Sequence, residues 1–62
     1  MNKVIEVLMK RDNMTQSEAR QRLDKVREEM HSAITDGDFS LAEDIMYTEL
    51  GLEMDYIFDV IG

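Results

Sequence analysis

In the stretch "MTQSEARQRLDKVREEMHSAITDG", Ala19, Leu23, Val26, Met30 and Ala33 recur at alternating steps of four and three, a spacing that constrains the fold more than any other feature of the chain. With Ile34 beside them they cover an arc of about 100° on a helical wheel, and all remaining positions from 16 to 35 are polar. This is the narrow stripe of a helix packed on one side. Its start is marked by Thr15 followed three residues later by Glu18, a capping box in which hydroxyl and carboxylate each satisfy an orphaned backbone N–H. Gly37 is placed to end the helix in a left-handed conformation.

The flanking segments carry the same signature. In "NKVIEVLMKR", Val4, Ile5, Val7, Leu8 and Met9 span about 200° of a shorter helix, which Asp12 and Asn13 break. "DFSLAEDIMYTELG" forms a third helix, with Asp38 or Ser40 as N-cap and Gly51 as the stop. Its apolar residues Phe39, Leu41, Ala42, Ile45, Met46, Tyr47 and Leu50 spread over roughly 240°. Beyond Gly51, Leu52 is expected to fold back on this helix. Asp55 is placed to cap a short turn carrying Tyr56 to Ile61, a run short enough to be extended instead. The expected fold is all-α: one domain over residues 1–62, with three helices plus a short C-terminal helical turn.

Size turns this arrangement into a question of cover. A chain of 62 residues makes a marginal core, and small domains usually compensate with disulfides, a metal or self-association. There is no cysteine and only one histidine, so disulfides and the usual zinc sets are excluded. The apolar arcs of the first and third helices, with the terminal "YIFDVI", exceed what one narrow stripe can cover. A two-fold homodimer is therefore expected, with Ile45, Met46, Leu50, Tyr56, Ile57, Phe58, Val60 and Ile61 as core or dimer contacts and the last five mostly buried.

Charge divides the chain. Residues 1 to 34 hold all seven lysines and arginines and six acids, whereas residues 35 to 62 hold eight acids and no basic residue. On the long helix, Glu18 with Arg22, Arg20 with Asp24 and Lys25 with Glu29 stand at pairing distance, each worth a few tenths of a kcal/mol. A nucleic-acid binder would present an unopposed basic stripe, and this one is opposed. The acidic half, Asp36, Asp38, Glu43, Asp44, Glu49, Glu53, Asp55 and Asp59, either keeps a small apolar protein soluble or meets a basic surface on another protein.

No residue pattern points to catalysis or to a cofactor. "DGDFS" starts like a calcium loop, but its sixth position is Leu41 instead of glycine and its twelfth is Tyr47 instead of glutamate. His31 has no second histidine or cysteine beside it and reads as a surface residue. Ser17, Ser32 and Ser40 lie at caps or on polar faces without a base, and the three glycines form no phosphate loop. No apolar run approaches the roughly 20 residues of a membrane span. "MNKVIEVLMKRDN" lacks a small-residue cleavage site, so the expected location is the cytoplasm.

At "LAEDIMYTELGLEMDYIFDVI", with the preceding "MTQSEARQRL", the chain resembles short acidic helical proteins of the bacteriophage and prophage type. The likeness runs over about residues 13 to 61 and lies in pattern: an acidic helix, "ELGLE", then "DYIFD". It implies a non-enzymatic binder that blocks a host protein, components of antiviral defence included, and carries no catalytic or binding residues with it. The leading expectation is thus a protein-binding modulator or inhibitor. Two alternatives are a small nucleic-acid-binding regulator using the basic residues of the first two helices, and a bare homo-oligomerisation module.

Overall fold

The computed structural model describes residues 2–61, which form α1 (Lys3–Arg11), α2 (Gln16–Thr35), α3 (Phe39–Ile45) and α4 (Ile57–Ile61). A π-helical turn, Met46–Leu50, continues α3, and a 3-10 turn, Met54–Tyr56, leads into α4. Among the described residues there is no strand, and the fold is all-α.

The first three helices begin where a short polar side chain accepts from the first turn. Asn2 Oδ1 accepts from the Val4 N–H at 2.7 Å, and Asp38, rather than Ser40, accepts from Leu41 at 3.0 Å. The capping box forms in both directions: the Glu18 N–H donates to Thr15 Oγ1 at 3.1 Å and the Thr15 N–H to Glu18 Oε1 at 2.9 Å. The expected cap at Asp55 is not made. Glu53 precedes the 3-10 turn without a side-chain cap, and Asp55 lies inside it. A 3-10 turn closes with one residue fewer, so the helical path starts before Asp55 reaches a capping position.

The first three helical segments stop on a left-handed residue: Asn13 (φ 56°), Gly37 (φ 74°) and Gly51 (φ 64°). At Gly37 the two bonds of a Schellman motif close, Asp38 N–H to Ala33 O at 2.9 Å and Gly37 N–H to Ile34 O at 3.0 Å. At Gly51 the wrap is one residue wider, since the Leu52 N–H reaches Met46 O at 3.3 Å across the π turn. Leu52 is buried there against the core, as expected of the residue following such a cap. Gly51 also lies close to its neighbour: a Cβ would stand 3.2 Å from Arg11 Nη1, which would have to shift by a few tenths of an ångström.

The core contains thirteen buried apolar residues and no buried polar one among the described residues. Val4, Ile5 and Leu8 come from α1, and Ala19, Leu23, Val26, Met30 and Ala33 from α2. Ala42, Met46, Leu50, Leu52 and Val60 complete it. The narrow stripe of α2 meets α1, α3 and α4 together, because its small residues Ala19 and Ala33 let neighbours approach at both ends. One chain therefore covers more of the apolar surplus than the wheels indicated. Four large side chains are left exposed: Phe39 (64%), Leu41 (46%), Tyr47 (74%) and Phe58 (79%).

Candidate protein-binding surface

Three of the seven cations of the first half reach beyond their own helices. The pairs expected along α2 do not form. Glu18 is engaged by the cap of its own helix, Asp24 lies 3.7 Å from Arg27, and Arg22 reaches out of the helix to Glu49, 3.9 Å between Nη1 and Oε2. For Arg22 the competing partner lies in the second half, where neither α3, the π turn nor α4 has a basic residue in its last turn. Helix ends present unpaired carbonyls and the negative pole of the macrodipole, and a guanidinium satisfies both.

Three arginines of the first half do this. Arg11 donates through Nη2 to Leu50 O and through Nη1 to Gly51 O at 3.3 Å. Arg22 Nη1 lies 3.5 Å from Glu49 O, and Arg27 Nε donates to Val60 O. Arg11 is held in turn by Asp12, with bonds of 2.9 and 2.8 Å to its two carboxylate oxygens. That hydrogen-bonded pairing raises the Arg11 pKa and lowers that of Asp12. The Glu18 carboxyl is also held below its ordinary range, first by the Thr15 backbone N–H and then by the Thr15 hydroxyl.

The eight acids of the second half separate into groups. Asp38 is spent on the α3 cap, and Glu49 is half-buried beside Arg22. Asp36 is exposed in the turn between α2 and α3. Asp59, one of the acids expected to solubilise the chain or meet a partner, is half-buried, and its backbone carbonyl accepts from Asn2 Nδ2. Asp55 is exposed on the 3-10 turn. The remaining three, Glu43, Asp44 and Glu53, are brought together from the two sides of Gly51 around one surface depression, which Tyr47, Leu52 and Met54 complete. No basic side chain lines it, and none of the three acids forms an ion pair among the described residues.

The apolar residues named with the acids fall in three conditions. Met46, Leu50 and Val60 are buried in the core, Ile45, Tyr56, Ile57 and Ile61 are half-buried against it, and Phe58 stands out from α4. Phe58 and Val60 are two residues apart on one short helix, so burying one turns the other outward. His31 is exposed on α2 amid Asp24, Lys25, Arg27 and Glu28. Among the described residues no three or more His, Cys, Asp or Glu side chains are grouped to hold a metal ion, and no helix is long and apolar enough to cross a membrane.

Sequence reasoning missed the arginine-to-carbonyl bonds. Their signal was present all the same: helices without a basic last turn in one half, and arginine at the edges of apolar stripes in the other.

These features define a small all-α protein in which three arginines bond to backbone carbonyls of the second half and three carboxylates, Glu43, Asp44 and Glu53, gather around Tyr47. No protein family, curated protein or solved structure matches the chain.

Proposed function

We propose that this chain is a non-enzymatic protein-binding module, a small phage-type modulator or inhibitor of a host protein, which acts in the host cytoplasm through its acidic surface. One observation carries the reading. Glu43, Asp44 and Glu53 surround the exposed ring of Tyr47 with no cation of their own, while the arginines nearest in sequence logic are committed to backbone carbonyls. An uncompensated group of carboxylates around an aromatic face attracts a lysine or arginine of another protein, by charge at a distance and by cation–π contact on arrival. A host protein with a basic surface, a component of antiviral defence in the setting that the sequence resemblance implies, is the partner of that chemistry. A two-fold homodimer belongs to the same reading, since Phe39, Leu41 and Phe58 remain uncovered in the single chain.

The test uses the intact chain immobilised in a bacterial lysate. The wild type is expected to retain a host protein at low salt and release it as salt rises, and Glu43→Lys with Asp44→Lys and Glu53→Lys should abolish retention. Recovery of its own copies alone would make the chain an assembly module. Steeply salt-dependent binding to a nonspecific DNA fragment would instead support the nucleic-acid reading.

A further inference from the structure

The outer face of α1 has an organisation that the acidic surface does not explain. Lys3, Glu6, Val7 and Lys10 follow one another at i, i+3, i+4 and i+7, so they form a single stripe. With Arg11 and Tyr56 they line a groove between α1 and the approach to α4. Val7 and Tyr56 are half-buried and give it an apolar floor. Lys3 and Lys10 stand near its two ends, about 10 Å apart along the helix, and neither forms an ion pair among the described residues. The groove is cationic and lined in part by carbon, the complement of an acidic segment carrying an aromatic side chain.

Such a segment exists on the chain itself. Phe58 projects with 79% of its surface exposed, and Asp55 and Asp59 flank it in sequence about 6 Å apart along the helical path. Phe58 does not enter the groove of its own chain: Val60, two residues on, is buried, and the α4 helix is held with that side inward by Arg27 at Val60 O and by Asn2 at Asp59 O. Projection and groove nevertheless belong to neighbouring elements, since α4 packs on α1 and Tyr56 lines the groove. Because projection and groove lie side by side, two copies can exchange both contacts about a two-fold axis.

We infer that a second copy of this chain docks here, the Phe58 ring of each copy entering the α1 groove of the other, with Asp55 and Asp59 facing Lys3 and Lys10. This rests on the homodimer reading above and assigns it a surface. Charge selects this occupant: the charged side chains of the segment contributed, Asp55 and Asp59, are both acidic, and the groove offers Lys3 and Lys10 against Glu6, its Arg11 being held by Asp12. A stable contact of about 800 Å² per partner is roughly a fifth of the chain's 4223 Å² surface.

The experiment is a charge swap read by sedimentation at tens of micromolar protein and low salt. Wild type is expected to be dimeric, whereas Lys3→Glu with Lys10→Glu, and separately Asp55→Lys with Asp59→Lys, should each weaken self-association by roughly tenfold or more. Mixing the two variants restores the dimer, because every groove then faces a tail of opposite sign. Phe58→Ser, at a side chain the fold does not bury, should weaken association similarly while leaving the circular dichroism and melting profile of the monomer in place. A wild type that sediments as a monomer overturns the homodimer reading and this surface together. A wild-type dimer whose charge variants and Phe58→Ser remain fully dimeric leaves the homodimer standing and overturns the surface alone.

Discussion

The two halves of this molecule are held in shape by different means. In α1 and α2 each helix has local provision for its ends: Asn2 and the Thr15–Glu18 box at the starts, basic residues in the last turn of α1, and a closed Schellman turn at Gly37. Beyond residue 38 the helices are short, pass through a π turn and a 3-10 turn, and have no basic residue of their own near any end. Their carbonyls are satisfied by arginines 27 to 40 residues away. Segregated charge in a sequence is thus not by itself a picture of the surface. Three guanidiniums of the basic half, each still more than a third exposed, lie against the helix ends of the acidic half, while Glu43, Asp44 and Glu53 have no cation beside them among the described residues.

Cavities give the largest test of this comparison. Leu23→Ala in α2 and Met46→Ala at the start of the π turn each empty a fully packed site, and each is expected to cost roughly 2 to 5 kcal/mol by urea melting. In so small a domain that is enough to abolish folding, which circular dichroism would show at once. Ile45→Ala, which the wheel places in the same stripe, should cost about 1 to 2 kcal/mol, because Ile45 is only half-buried. A loss as large as that at Met46 would mean that a second surface covers Ile45.

Arginine substitutions test the borrowed caps. Arg11→Ala should cost about 1 to 2 kcal/mol, because it removes charge-assisted donors from Leu50 O and Gly51 O. Arg11→Lys should recover less than half of that, since an ammonium keeps the charge and loses the fork. Equal stability of the two variants would show that charge near the helix end suffices without the bonds. Thr15→Ala, by contrast, removes a local cap worth about 1 kcal/mol, and its effect should be confined to the first half in hydrogen exchange. The smallest effect is expected at the exposed ring of Phe39, where Phe39→Ser should leave the melt within about 0.5 kcal/mol of wild type.

Acid provides a further contrast. The folded pKa values of Glu18 and Asp12 lie below their ordinary values of 4.5 and 3.8, so the unfolded chain binds protons more readily than the folded one. Their stabilising effect is present above those ordinary values and is lost as pH falls through the depressed ones. Urea melts at about pH 5 and about pH 3 should therefore differ less in a Glu18→Gln, Asp12→Asn variant than in the wild type. An unchanged difference would place the acid sensitivity of the fold elsewhere.

Most of the helical layout was legible because its causes are local. The period of Ala19, Leu23, Val26, Met30 and Ala33, the capping box, the stops at Gly37 and Gly51 and the return of Leu52 each depend on residues within one helix or just beyond its end. What the wheel could not show was how far one stripe would serve three neighbours, since that depends on the small size of Ala19 and Ala33 and on the close approach they allow. Nor does a wheel drawn at a constant 100° per residue contain a π turn. The exposure of Phe58 beside buried Val60 and the destinations of Arg11, Arg22 and Arg27 are decided by tertiary approach. The eight acids were visible as a composition, but the gathering of Glu43, Asp44 and Glu53 around Tyr47 required the chain reversal at Gly51.

The π turn at Met46–Leu50 can also be regarded as a matter of chain length. A turn closed by i to i+5 bonds contains one residue more than the α-helical turn it replaces, so the segment behaves as a helix with a one-residue insertion absorbed in place. Thr48 occupies this stretch with its side chain exposed and its hydroxyl bonded back to Asp44 O at 2.7 Å. Removing Thr48 alone would let an ordinary helical turn close between Met46 and Leu50 while Gly51, Leu52 and the guanidinium of Arg11 keep their places. Within a chain that has almost no slack, this is a position where a length change can be accommodated without shifting the register of everything that follows.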